Sequence, residues 1–432
     1  MMATMRLLSI ETRRSVALWF VLPLAALVVW GTLSTMRPDG SPTIWSRSNV
    51  QLGLMCVVAA FIMCGVGAWM AGRGRRRRVD ELLATMPRPA SLLDLPILAG
   101  TVVWGLLGCL LPAALVFALV DREATWGGPE AGPIVIGLLT VVAGTAVGYL
   151  GGTIIPSRFA APLMAVIFTT MALLVGTRSA SLAYLSPLAM DPRGSNSYDV
   201  FYQAPTLPLA QTAFWLAGVT ACASTATSLW RRRTMWTWGA FVGSSVVAIT
   251  AAVLLTQAFV HPPWERNYAG QPMAEYELAC VERAITICVH PAFEARLDEY
   301  ADRINALVAP LIDVPGGPTR AEQLPSSNWP LPDGVFEILP SPIVAAHAAH
   351  ELVREDRTAI TPAQQVIATW LLMQAGEDAS EARIFASPGQ RIEEVTAAVN
   401  RFASLGPEAQ RAWLMANFKD LRAGRITMAD LP

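Results

Sequence analysis

Seven apolar segments restrict the fold of this chain more than any other feature of its sequence. A membrane-spanning helix needs about 20 mostly apolar residues, and each segment is close to that length or longer. The pattern therefore predicts an α-helical polytopic membrane protein with about seven transmembrane helices. The predicted spans are approximately Ser15–Met36, Val50–Ala71, Leu95–Val120, Gly132–Ile155, Phe159–Thr177, Leu207–Trp230 and Met235–Val260.

The seven segments contain no Asp, Glu, Lys, Arg or His. Ionisable residues inside a membrane usually mark a path for ions or substrates. Their absence argues against a proton relay and against a charged substrate held at the middle of the membrane.

The charged residues divide the chain into two regions. Residues 1–260 hold 18 Arg against 10 Asp and Glu, all in the gaps between apolar segments. Residues 261–432 hold 14 basic and 23 acidic residues, which are spread throughout. We therefore expect a transmembrane domain over 1–260 and a mainly helical soluble domain with a small β-hairpin over 261–432.

The distribution of arginine predicts the orientation in the membrane, because basic loops are retained in the cytoplasm. With the N-terminus inside, 13 arginines lie in cytoplasmic segments and 5 lie outside. Seven spans then place the C-terminal domain outside the cytoplasm, in a multi-pass protein of the cell membrane. The fifth segment is bounded tightly by Arg158 and Arg178. If it does not span, the C-terminal domain is cytoplasmic.

The stretch Gly72–Pro89 is the most basic part of the chain. Its run of arginines is predicted to be cytoplasmic and to contact anionic lipid headgroups. The residues that follow place Val79, Leu82, Leu83 and Met86 on one face of a short helix. A docking element and a purely topogenic loop fit these residues equally well. The five arginines are Arg73, Arg75, Arg76, Arg77 and Arg78.

Two cysteines and several helix starts characterise the soluble domain. Strand character over Met273–His290 predicts a hairpin that turns near Glu282 to Ala284. Cys280 and Cys288 bracket this hairpin, and outside the cytoplasm we expect them to form a disulfide. A loop is predicted over Val314–Gly334 and a short strand over Val335–Leu339. Helices are predicted over Pro291–Leu311 and from Pro342, Thr361-Pro362, Ser387-Pro388 and Pro407.

No motif in the chain predicts a catalytic residue, a metal site or a cofactor. The nucleotide-binding pattern G-x-x-x-x-G-K-[ST] and the hydrolase pattern G-x-S-x-G do not occur. His347 and His350 superficially resemble a zinc helix, and a zinc hydrolase would need an acidic third ligand. Because the H-E-x-x-H order is missing, two surface histidines on an alanine-rich helix are the favoured interpretation.

Residues 66–100 resemble the region after the second span of ABC-2-type transporter permeases. The matching residues are Glu81-Leu82-Leu83 together with Thr85, Pro87 and Arg88. The chain departs from the family pattern at Gly74 and the extra arginines, and by a seventh span and an appended outer domain. The C-terminal domain is similar to extracytoplasmic tails of permease-like membrane proteins of high-GC bacteria, which indicate no substrate.

The resemblance implies a coupling loop over 72–94 that contacts a separate ABC ATP-binding subunit. Glu81, Leu82, Leu83 and Met86 would make that contact, and the chain itself would not be an enzyme. It further implies a homodimer or heterodimer of permease subunits, with no cofactor and no nucleic-acid partner. The alternative function is a non-transporting membrane-anchored sensor or assembly protein that acts through its outer domain.

Overall fold

The structure is a computed structural model with two compact units. The first unit ends at Met273, and the main body of the second begins at Ala274. The structure describes residues 9–36, 43–76, 91–155, 157–176, 185, 206–231, 235–258, 276–324, 333–341, 343–355, 360–378, 380 and 392–432.

The first unit is built from long apolar helices, and each of the seven predicted segments falls on one of them. Within the described residues, five helical stretches are long and apolar enough to cross a membrane, namely Val16–Ser34, Trp45–Ala71, Asp94–Glu123, Ala131–Ile154 and Thr237–Leu254. The shorter α5 is also apolar. The unit is therefore a helical, membrane-embedded structure. The helices are α1 Val21–Met36, α2 Trp45–Ala71, α3 Ser91–Glu123, α4 Ala131–Ile154, α5 Ala160–Gly176, α6 Thr206–Arg231 and α7 Met235–Ala258.

Helices α2 and α4 lie so close that glycines of one meet the backbone of the other. A Cβ added to Gly137 would lie 2.6 Å from the carbonyl oxygen of Gly53, and one added to Gly152 would lie 2.7 Å from the Cα of Ala68. Such small-residue contacts are typical of helix pairs in membranes. The paired positions increase together along both helices, so α2 and α4 run parallel. They are Gly53 with Gly137, Cys64 with Gly148 and Ala68 with Gly152.

The neighbouring helices alternate in direction around this pair. The rings of Trp45 and Phe117 are 5.3 Å apart, while Met63 packs on Gly105, so α3 is antiparallel to α2. Helix α1 runs parallel to α3, because Thr12 before α1 meets Gly100 and Leu24 in α1 meets Gly108. Helix α5 folds back along α4, where Met164 meets Gly151 and Phe168 meets Gly144.

This alternation gathers the arginines of the first unit at one end, which we call the arginine end. It contains the start of α1 and the ends of α2 and α4. Among the arginines whose side chains are described, Arg47 and Arg122 lie at the opposite end. Six lie at the arginine end, namely Arg13, Arg14, Arg73, Arg75, Arg76 and Arg158.

The second unit contains a four-stranded sheet in the order β1-β2-β3-β4. Strand β1 Ala279–Glu282 pairs antiparallel with β2 Thr286–Val289, which confirms the predicted hairpin. Strands β3 Arg320–Glu322 and β4 Val335–Glu337 continue the sheet in parallel. Strand β3 lies within the segment Val314–Gly334, where a loop was the prediction, so that prediction is wrong for these three residues.

Cys280 and Cys288 face each other across β1 and β2. Their Cα atoms are 4.1 Å apart and their sulfurs lie at disulfide-bonding distance. The hairpin also binds the following helix, because the Arg283 guanidinium donates 2.8 Å to Asp298. The cysteine contact joins the two strands, and the Arg283 contact attaches this edge of the sheet to the helical layer.

Three helices of the second unit meet at an aromatic cluster. The ring of Phe402 lies edge-on to Trp370 at 5.0 Å and to Trp413 at 5.4 Å. The start of α10 is the predicted capping box, in which the Thr361 hydroxyl accepts from the Gln364 amide at 3.3 Å. The helices are α8 Leu297–Val308, α9 Val344–Leu352, α10 Pro362–Gln374, α11 Ile392–Ser404 and α12 Pro407–Arg422.

Two of the predicted helix starts are confirmed by the structure. Helix α10 begins at Pro362 and α12 at Pro407. Pro342 and the Ser387-Pro388 pair lie outside the described residues.

Because α2 and α4 pack backbone to backbone, a single methyl group added to a glycine of this contact should clearly lower the stability of the first unit. Gly148→Ala should destabilise the first unit by about 1–3 kcal/mol, because its Cβ would overlap the carbonyl oxygen of Cys64. Thermal unfolding in detergent, followed by far-UV circular dichroism, would measure the change. A Gly148→Ala protein as stable as the wild type would contradict the packing.

Gly239→Ala on α7 is the matched control. Among the described residues, no atom outside the backbone of its own helix turn and its two chain neighbours lies within 4 Å of the position of its Cβ. Because alanine is the better helix former by about 1 kcal/mol, this variant should unfold at the wild-type temperature or above it.

Candidate functional site at the arginine end

Arg73 is held inside the first unit by an ion pair. Its guanidinium lies 2.6 Å from the carboxylate of Glu11, and both side chains are only 17% exposed. Glu11 belongs to the helical segment 9–14 that precedes α1. The same segment is bound to α3, because the Trp104 indole donates 2.6 Å to the carbonyl oxygen of Thr12. The ion pair therefore joins the end of α2 to the start of the chain.

Arg75 binds the C-terminal end of α4. Its guanidinium donates to the carbonyl oxygen of Gly152 and, at 3.4 Å, to that of Ile155. The last carbonyls of a helix have no partner within the helix and carry partial negative charge. Arg75 supplies both the donors and the positive charge that this end needs.

Arg76 has a different environment from Arg73 and Arg75. Its guanidinium stacks 3.8 Å from the ring of Trp69, which is itself exposed near the end of α2. Arg158 lies 5.1 Å from the exposed ring of Phe159 in the same way. Arginine and aromatic pairs of this kind suit the membrane interface. Arg73 and Arg75, by contrast, were predicted only as topogenic and lipid-contacting residues, and in the structure they also bind other parts of the protein.

Asp94 and Tyr149 form a hydrogen bond that sequence reasoning missed. The Tyr149 hydroxyl donates 2.8 Å to the Asp94 carboxylate, which is 5% exposed, and Tyr149 is 1% exposed. Asp94 lies one residue before the third apolar segment, and α3 begins three residues earlier. The predicted segments do lack ionisable residues, but the helices extend further and include Asp94 and Arg47. The signal in the sequence was an acidic residue next to an apolar run.

The segment 77–90 is flanked on both sides by residues bound to the last turns of α4. Arg75 precedes it and contacts Gly152, while Asp94 follows it and contacts Tyr149. The predicted coupling residues Glu81, Leu82, Leu83 and Met86, together with Arg77 and Arg78, lie outside the described residues. The structure therefore describes the residues on either side of this segment and their contacts with α4.

The fold and the arginine end together define a membrane-embedded helical protein that carries a separate unit of helices and a small sheet. Comparison with protein-family models, with curated proteins and with solved structures finds no significant match to this chain. The resemblance to ABC-2-type permeases therefore stays a prediction.

The histidine pair of the second unit has an environment other than the one predicted. His347 and His350 are not surface residues, since their side chains are 15% and 11% exposed. Their ring nitrogens lie 3.7 and 3.5 Å from the carboxylate of buried Glu351, which also accepts two hydrogen bonds from Arg354. The alanine-rich face of α9 is buried, and the rings of His347 and His350 are largely buried as well. Among the described residues, no three His, Cys, Asp or Glu side chains are placed to hold a metal.

Two buried groups of the second unit have shifted pKa values. Burial alone would raise the pKa of Glu351, but His350, His347 and Arg354 together lower it to about 2. Burial lowers the pKa of His290 to about 4. His290 is neutral when folded, and its Nδ1 accepts 3.1 Å from the amide of Ala292 at the start of the next helical turn.

These shifts predict two steps of acid destabilisation. Because both folded pKa values lie below the ordinary ones, each contribution is complete at neutral pH and is lost as the pH falls. The contribution of His290 is lost between about pH 6.5 and 4, and that of Glu351 between about 4.5 and 2. The Glu351 step is worth about 3 kcal/mol.

The free energy of unfolding is measured by urea unfolding of the full chain in detergent, repeated over the pH range of both steps. Pulsed hydrogen exchange in α9 monitors the unfolding. Glu351→Gln should remove the lower step, and His290→Asn should remove the upper one while keeping an oxygen that can accept from Ala292. Glu393→Gln, at an exposed position of α11, is the control that should change neither. Two unchanged steps in both test variants would show that other groups control acid unfolding.

Proposed function

We propose that the chain is the permease subunit of an ABC-type transporter and that a separate subunit hydrolyses ATP. One observation carries the proposal. The described residues on either side of Glu81-Leu82-Leu83, Arg75 and Asp94, both bind α4, a helix that packs backbone to backbone on α2. A segment that receives force from a partner needs such a fixed base.

The proposal assigns seven membrane spans to helices α1 to α7. The arginine end then faces the cytoplasm, because basic residues are retained there. With α5 and α6 as spans, the second unit lies outside the cytoplasm, where a bond between Cys280 and Cys288 is stable. The protein would be a multi-pass protein of the cell membrane.

Coupling would begin at the predicted amphipathic helix. Leu82, Leu83 and Met86 would enter an apolar groove of the ATP-binding subunit, and Glu81 would meet its polar rim. Movement of that subunit would pass through Arg75 and Asp94 to α4 and its partner α2. The transport path would form between two permease subunits, either identical or different.

A pair of charge substitutions tests the docking surface. Leu82→Asp with Leu83→Asp should abolish co-purification of the ATP-binding subunit from native membranes, because two carboxylates would face an apolar groove. Membrane levels of the variant should stay near those of the wild type. The measurement is the molar ratio of ATPase to the purified chain.

Ala84→Asp with Thr85→Asp is the matched control. It adds the same charge on the opposite face of the predicted helix and should keep the ATPase bound. Retention of the ATPase by both double variants would show that the segment is only a topogenic signal. If the wild-type chain brings no ATPase, the permease proposal is wrong, and a sensor or assembly role of the second unit takes its place.

A further inference from the structure

Asp94 and Tyr149 connect two helices at the arginine end through a hydrogen bond between buried side chains. We propose that this contact is a lock that fixes the start of α3 to the end of α4, and that Asp94 is a positioning residue for coupling. The lock itself follows from the described residues. Its role in coupling rests on the proposed function.

Tyr149 lies in a tightly packed turn of α4. Gly148, directly before it, meets the carbonyl of Cys64, and Gly152, three residues later, meets the backbone of Ala68. The last turns of α4 are therefore pressed against α2 on one face. The Tyr149 hydroxyl points to a different neighbour, since it reaches α3. Because this turn of α4 is tightly packed, the Tyr149 hydroxyl has little freedom to follow Asp94 if α3 shifts.

Asp94 is the α3 side of the lock. It lies in the first turn of α3, where the helix begins after the segment 77–90. A hydrogen bond to a buried carboxylate is stronger than one between neutral groups, and breaking it leaves a polar group in apolar surroundings. Arg75 binds the same end of α4 from the other flank. The lock thus keeps both flanks of the segment at a fixed separation.

Hydrogen exchange of the full chain in lipid nanodiscs tests the lock without any partner. Tyr149→Phe and Asp94→Ala should each raise exchange of the amides in residues 95–101 about tenfold, the factor expected when one such bond is lost. The double variant should show little further increase, because both changes remove the same contact.

Two further variants separate the hydrogen bond from general packing. Asp94→Asn keeps an oxygen that accepts from Tyr149, now in a weaker neutral hydrogen bond, and should raise exchange less than Asp94→Ala does. Thr145→Val removes a buried hydroxyl from the same helix and should leave α3 unchanged, because within the described part of the chain this hydroxyl donates to the carbonyl oxygen of Val141 in α4 itself. Equal exchange in Tyr149→Phe and wild type, or equal loosening by Asn and Ala at position 94, would overturn the lock.

The coupling role has its own measurement. In the complex with its ATPase, Tyr149→Phe should keep the bound amount of ATPase and lower ATP-dependent turnover several-fold, while KM for ATP stays unchanged. Unchanged turnover with loosened α3 would overturn the positioning role of Asp94. If the wild-type chain binds no ATPase, the permease proposal fails, and the exchange experiment alone still decides whether the lock exists.

Discussion

The close contact between α2 and α4 is the constraint on which the rest of the first unit depends. In a membrane, lipid is as apolar as the side chains, so helices associate through tight packing and polar contacts. Gly137, Gly148 and Gly152 allow the two backbones to approach without an intervening side chain. Once this pair is parallel, α3 and α5 must run antiparallel to it. The direction of each helix, and so the position of each charged residue, follows from that pairing.

Arg73, Arg75 and Asp94 make their polar contacts where the chain leaves the apolar region. Arg75 satisfies carbonyls at the end of α4, and Asp94 accepts from Tyr149 one turn earlier. An unpaired charge in an apolar environment is costly, whereas a hydrogen bond to a charged group is worth about 1.5–3 kcal/mol. These contacts therefore stabilise the arginine end, and they explain why two of its arginines point into the protein.

Local patterns predicted the elements, and nonlocal contacts decided the rest. Apolar segments predicted the helices because their signal is contained within each helix, and Thr361-Pro362 predicted the start of α10 for the same reason. Strand β3 has only three residues and exists because β2 and β4 pair with it on either side. The Asp94 and Tyr149 side chains are 55 residues apart in sequence. No spacing rule joins such residues before the helices are assembled.

The proposed topology has seven membrane-spanning helices with the arginine end in the cytoplasm. A dual reporter fused after Pro432 tests this topology by combining a phosphatase that folds only outside the cytoplasm with a fluorescent protein that folds only inside. Seven spans in this orientation predict phosphatase activity without fluorescence. Fluorescence without phosphatase activity would place the second unit in the cytoplasm, and would mean that an even number of helices crosses the membrane or that the whole orientation is reversed.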